Sequence, residues 1–204
     1  MRFSDIKVGY IYNVVFDPVR GCEFDGKHLA LTLKKNNDKK TFIVMPLTSS
    51  PSGAGVNKIE LGSISSLPTS LKGNRTFAVI NQIRTVNVDR FIALKEGNNA
   101  IECPIDINLF LDLSLLGIRE LLHNVPQDSK IEIYKKAYEG ERVIKAKDLA
   151  YTIKGLKSLG SENEEEIAKL KLDIKALLQN ISFSLDKKHI ADGIQSIFDE
   201  AMQQ

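Results

Sequence analysis

Between residues 8 and 94 the chain alternates β-forming runs with turn formers, and that spacing confines this part of it to short strands. Runs rich in Val, Ile, Leu, Phe and Thr occupy residues 8–16, 28–35, 41–47, 57–61, 76–83 and 88–94. In the second run Leu29, Leu31 and Leu33 alternate with Ala30, Thr32 and Lys34, the two-residue period of a strand with one apolar face. Asn36-Asn37-Asp38 is expected to turn the chain between the second and third runs, and the Ser/Gly/Pro-rich stretch 48–55 reads as a mobile loop. Five or six such strands in close succession predict a small closed barrel, an architecture that leaves no sheet edge exposed.

The remainder of the 204 residues reads as helix. After a break at 95–105, residues 107–124 carry apolar side chains on nearly every side, which predicts a buried helix ended by Asn124-Val125-Pro126. Residues 130–160 read as mostly helical, and Ser161-Glu162-Asn163-Glu164 has the capping-box pattern that opens another helix. Ile167, Leu170, Ile174, Leu177 and Ile181 then form a narrow coiled-coil-like seam, and a last helix from Asp186 sets Ile190, Ile194, Ile197 and Phe198 on one side. This hairpin either folds back on its own protein or offers a dimer or partner surface. Two domains are expected, at 1–125 and 126–204.

Composition narrows the chemistry. Hydrophobic residues at 43% and charged residues at 26% describe an ordinary globular protein. No apolar run approaches the roughly 20 residues of a membrane span, and residues 1–5 lack a signal-peptide core, so a cytoplasmic protein is expected. Two cysteines, and three histidines scattered at 28, 123 and 189, suggest neither a disulfide framework nor a metal site, and no glycine-rich phosphate loop is present. Residues 161–204 hold 5 Lys and Arg against 9 Asp and Glu, which leaves residues 1–160 with an excess of +6. That excess favours a polyanionic ligand for the strand-rich part.

Between the first two runs, residues 16–28 crowd two glycines, the carboxylates of Asp17, Glu23 and Asp25, the cations Arg20 and Lys27, and His28 into one connection. Titratable groups so dense on a loop between strands mark a binding or catalytic loop on a rigid support. Together with Val44-Met45-Pro46-Leu47-Thr48-Ser49-Ser50, the strand Asn81-Gln82-Ile83-Arg84-Thr85-Val86 and the weaker match Asn57-Lys58-Ile59-Glu60-Leu61, this loop resembles that of the MazF/PemK family of toxin endoribonucleases. The resemblance runs over about residues 7–94. It implies an α+β protein with a small SH3-like (CcdB/PemK-type) β-barrel followed by a C-terminal helical extension. It also implies a homodimer that cuts single-stranded RNA without metal or other cofactor, and an antitoxin partner that is a protein or an RNA.

Metal-free RNA cleavage needs a group to take the proton of the ribose 2′-OH, a group to protonate the leaving 5′-oxygen, and donors for the charge that builds on phosphorus-bound oxygens. The family places an arginine after the loop's second glycine; here that place holds His28, with Lys27 before it and Leu29 after. Imidazole exchanges protons near neutral pH, and Lys27 supplies the positive charge. Thr48 matches the family's phosphate-positioning threonine. The resemblance thus assigns catalysis to His28, Lys27 and Thr48, and substrate binding to Arg20, Glu23, Ser49, Ser50, Gln82 and Arg84. Several of these also have structural readings, and for Gln82 the structural one is favoured. Arg84 either meets phosphate or pairs with Glu23 or Asp17; Gln82 either reads a base edge or ties a strand to the loop; Glu23 orients His28 or Lys27, repels a wrong phosphate, or is simply solvated. The alternative function is a non-catalytic toxin or nucleic-acid-binding module on the same barrel, acting through a protein target such as gyrase.

Overall fold

Seven short strands pair into one antiparallel sheet in the computed structural model, which describes residues 1–51, 57–159, 164–179 and 195–203. They are β1 (Ile11–Val15), β2 (Lys27–Lys35), β3 (Thr41–Thr48), β4 (Lys58–Gly62), β5 (Thr76–Val79), β6 (Arg84–Asn87) and β7 (Phe91–Ile92). The order is β4-β5-β3-β2-β1-β7, with β6 on the far half of β3. The expected tight turn joins β2 to β3: the Asp38 carboxylate accepts from the backbone N–H groups of Lys40 at 2.8 Å and Thr41 at 2.9 Å. The Thr41 hydroxyl and these amides hold that carboxyl below the usual aspartate value.

The ladder does not close. Among the described residues no pairing joins β4 to β7, so the closed barrel predicted from strand count is replaced by an open sheet covered on both faces. The reason lies in the last strand-like run. Residues 88–94 begin with a single 3-10 turn, Val88–Arg90, whose start is capped by the Asn87 side chain, and only Phe91–Ile92 remain to pair, with β1. Residues 76–83 are shortened in the same way, since Ile80–Gln82 form a 3-10 turn after β5. The first run is shorter than expected too, and the 95–105 break holds a two-stranded hairpin of β8 (Lys95–Glu96) and β9 (Asn99–Ala100).

Alternation along the strands feeds two apolar clusters. Ile11, Leu31, Met45, Leu47 and Ala78 point to one side, and Tyr12, Val14, Ala30, Phe42, Val44 and Val86 to the other. Helix α1 (Thr69–Lys72) is a single turn, and α2 (Ile107–Leu121) lies on the first cluster through Leu109, Leu113 and Leu116. Asp106 caps α2 by accepting from the N–H groups of Asn108 and Leu109. Gly117 permits close packing: a Cβ there would lie 2.8 Å from Ile83 Cδ1.

The helix is not buried all round as its composition predicts. Leu113 and Gly117 are covered, while Ile107, Leu111, Leu115, Ile118 and Leu121 are exposed, because one sheet face can cover only one side of a helix. It also ends before His123, which lies in the following turn.

Contacts divide the chain into two compact units, Met1–Asn124 and Val125–Gln204. The second holds α3 (Gln127–Leu159), α4 (Glu164–Leu178) and α5 (Gln195–Gln203). The seam of Ile167, Leu170, Ile174 and Leu177 packs within this unit, against Val143, Ala146, Ala150 and Ile153 of α3 and Ile197, Phe198 and Ala201 of α5. Arg142 closes the end of α4 by donating to the carbonyls of Ala176 at 3.0 Å and Gln179 at 2.8 Å. Ser161 to Asn163 of the capping box, Ile181, the helix start at Asp186, His189, Ile190, Ile194 and residues 52–55 of the expected mobile loop lie outside the described residues. No described helix is long and apolar enough to cross a membrane.

Candidate functional site

The loop joining β1 to β2 is tied down at its base and along its length. Phe16 N–H donates to the Gly26 carbonyl at 2.8 Å, and the Gly26 N–H donates back to Asp17 Oδ1 at 3.1 Å. Gly26 has φ +68°, a backbone conformation that side chains disfavour, and it delivers Lys27 and His28 to the first positions of β2. Farther out, the Phe24 N–H donates to Gln82 Oε1 at 3.3 Å, which joins the loop to the turn after β5. Aromatic contacts run beneath it. The His28 ring lies 4.3 Å from that of Phe24, Phe24 meets Phe16 edge-on at 5.8 Å, and the Arg84 guanidinium sits 5.6 Å above Phe16.

Register sets the rest of the site. Asn13, Leu29 and Leu47 stand abreast on β1, β2 and β3. One step further along the antiparallel ladder sets His28 beside Thr48, the last residue of β3. Thr48 Oγ1 accepts from the Ser50 N–H at 3.1 Å, so the chain turns off the strand with the threonine hydroxyl at the bend. A cleft of about 200 Å³ opens at this end of the ladder, and Lys27, His28, Thr48 and Ser49 all line it. Lys27 and His28, neighbours in sequence, therefore share one cleft with Thr48, 20 residues further on.

The predicted substrate-binding residues do not all join them. Arg84 and Glu23 line a second, wide depression of about 410 Å³ together with Arg90. There Arg84 Nη2 lies 3.3 Å from Glu23 Oε2, and Arg90 Nη1 donates to the carbonyls of Val15 and Phe16. Of the partners open to Arg84 the structure pairs it with Glu23, and Gln82 is engaged with the loop backbone. Arg20, Ser49 and Ser50 are exposed, and Arg20 and Gln82 line neither cavity. Cys22 is exposed on the loop, whereas Cys103 is buried in the first cluster, where burial pushes its thiol up. Among the described residues no three His, Cys, Asp or Glu side chains group as ligands for a metal ion.

The cleft also takes in Asn13 and Asn74, which the strand pattern gives little reason to single out. Asn13 stands out in sequence only as one amide inside a run of β-formers, and Asn74 sits in the turn after α1 like any loop asparagine. Arg75, next to it, clamps Glu60 through two hydrogen bonds and holds that carboxyl below the usual glutamate value.

Comparison with known proteins adds the family. Residues 7–100 match the model of the PemK-like, MazF-like toxin of type II toxin–antitoxin systems. Over this stretch, just under half of its length, the chain is similar to that toxin family. Among solved structures, a crystal structure of MazF (Form-I) from Deinococcus radiodurans is similar over 58% of this chain and 96% of that one, with 17% identity and a TM-score of 0.42. No curated protein matches the chain. The matched segment takes in all of the sheet, both cavities and every predicted site residue, and stops before α2 and the second unit.

Proposed function

We propose that the chain is a cytoplasmic toxin endoribonuclease, working as a homodimer, that cuts single-stranded RNA by attack of the ribose 2′-OH and is restrained by an antitoxin. The observation that carries this reading is the meeting of Lys27, His28 and Thr48 at the end of the β2–β3 ladder inside a segment of PemK/MazF type. In the reaction the 2′-oxygen attacks phosphorus and the bond to the 5′-oxygen breaks. His28 handles one of the two protons that move, at a position where the Phe24 ring limits its rotation. Lys27 and the Thr48 hydroxyl meet the negative charge that grows on the phosphoryl oxygens. The unit that holds the cleft, residues 1–124, carries 15 Lys and Arg against 12 Asp and Glu, and this excess of +3 helps draw the polyanion in. Arg84, held between Glu23 and Phe16, offers a second cation to the RNA strand beyond the cleft.

The test is incubation of purified protein with a long RNA of mixed sequence in the presence of EDTA. Discrete cuts leaving 2′,3′-cyclic phosphate and 5′-hydroxyl ends are expected, because an internal nucleophile gives those ends first. RNA left intact by antitoxin-free protein would instead make this chain a non-catalytic toxin acting by binding alone.

A further inference from the structure

We propose that the cleft beside Lys27, His28 and Thr48 receives one unstacked nucleobase of the RNA, its edge read by the side chains of Asn13 and Asn74. The proposal rests on the reading of this cleft as an RNA site and adds what selects the sequence there.

Size is the first argument. At about 200 Å³ the cleft falls below the roughly 300–1,000 Å³ of pockets that enclose drug-sized ligands, so it suits a single flat heterocycle and not a whole nucleotide chain. Its walls are of two kinds. Leu29, Leu47, Leu67 and Leu71 give apolar surface for the faces of a ring, and the carboxamides of Asn13 and Asn74 give a donor and an acceptor each for its edge. Single-stranded RNA is read in just this manner, by bases swung out of the stack and hydrogen-bonded along their edges.

The second argument is the position of Asn13. It shares a register row with Leu29 and Leu47, where an apolar residue would pack, and it is half-buried. Among the described residues neither the Asn13 nor the Asn74 side chain bonds within the fold, and neither is a buried atom left without a partner, so both amides stand open at the cleft. Charge supplies a third argument: the lining includes Lys27 and His28 and no carboxylate, so a phosphate can sit at the mouth while its base enters. Next to Asn74, Arg75 is clamped to Glu60.

The experiment measures binding apart from cutting. Full-length protein carrying His28→Ala is titrated against short fluorescein-labelled oligo(A), oligo(C) and oligo(U) by anisotropy, with and without Asn74→Ala or Asn13→Thr. The His28→Ala protein is expected to bind one oligomer roughly tenfold tighter than the weakest, and either asparagine substitution to bring that ratio close to one. Asn74 is exposed in a turn and Asn13→Thr keeps a strand-forming residue, so both variants retain the fold, which circular dichroism checks. No preference at the outset, or a preference untouched by both substitutions, overturns the proposal. If the parent cuts long RNA but both asparagine variants cut at the same bases as the parent, cleavage stands and the base pocket falls. If base preference depends on the asparagines yet the parent leaves RNA intact, the pocket stands and cleavage falls.

Discussion

His28 occupies the place where the family pattern carries an arginine, and the proton-transfer role proposed for it rests on its surroundings. Gly26 turns the chain into β2, Phe24 flanks the ring, and Thr48 lines the same cleft. An imidazole exchanges protons near neutrality, which an arginine does not. His28→Ala should therefore lower turnover by roughly 10²-fold or more and flatten the rate profile around neutral pH. Lys27→Ala and Thr48→Ala remove charge stabilisation without a titrating group and should lower the rate by roughly 10²-fold at every pH. Rates measured from pH 5 to 9 separate the two patterns. A His28→Ala protein as fast as the parent with an unchanged profile would move proton transfer to another side chain. The loop was partly legible at this scale. Its crowd of charges and glycines marks it in sequence, but whether Arg84 faces RNA or Glu23 is a matter of distance across the fold, and the structure answers with a 3.3 Å pair.

Elements show the same division between local pattern and context. The alternation of Leu29, Leu31 and Leu33 is a local property, and β2 follows it, since each leucine must leave water on the same side. The seam on α4 likewise survives into the structure. Its spacing cannot say what fills it, and α3 and α5 do. Glu200 on α5 joins those three helices, reaching Lys171 of α4 at 2.7 Å and Lys157 of α3 at 3.1 Å. Lys171 first, then Lys157, holds its carboxyl below the ordinary glutamate value of 4.5. A carboxylate with a lowered folded-state value stabilises the fold at neutral pH, and that contribution disappears as pH falls below 4.5 and through the lowered value. Thermal melts of Glu200→Gln should thus show a lower Tm than the parent at pH 7 and converge with it as pH falls through the lowered value. A Tm difference unchanged by acid would mean that the glutamate acts through packing rather than charge. Glu200 and Lys157 are each 43% exposed and only Lys171 is largely covered, at 14%, so water still screens the carboxylate and the difference at neutral pH should be small, on the order of 1 kcal/mol.

At the scale of the whole molecule, cleft and depression are both built within the first unit, which has its own apolar clusters on both faces of the sheet. The second unit is close to neutral, with 13 Lys and Arg against 14 Asp and Glu, and offers RNA no net attraction. Met1–Asn124 expressed alone should accordingly fold and cut RNA at the same sites as the full chain, with circular dichroism and gel mapping as the checks. A folded fragment that cuts nothing, beside an active full chain, would make α3, α4 and α5 part of the working site.

The sequence by itself determined the strand-rich first part and the helical second, the turn at Asn36-Asn37-Asp38, the α4 seam and the loop to watch. All of these depend on neighbours a few residues away, through side-chain alternation, turn chemistry and helical spacing. Only the tertiary structure decided that the sheet stays open, that α2 covers one face and bares its other side, and that Asn13 and Asn74 share a cleft with Lys27, His28 and Thr48. Those outcomes turn on which surfaces meet between segments far beyond the reach of a local pattern. Register and packing between strands set them, and no local pattern encodes such a meeting.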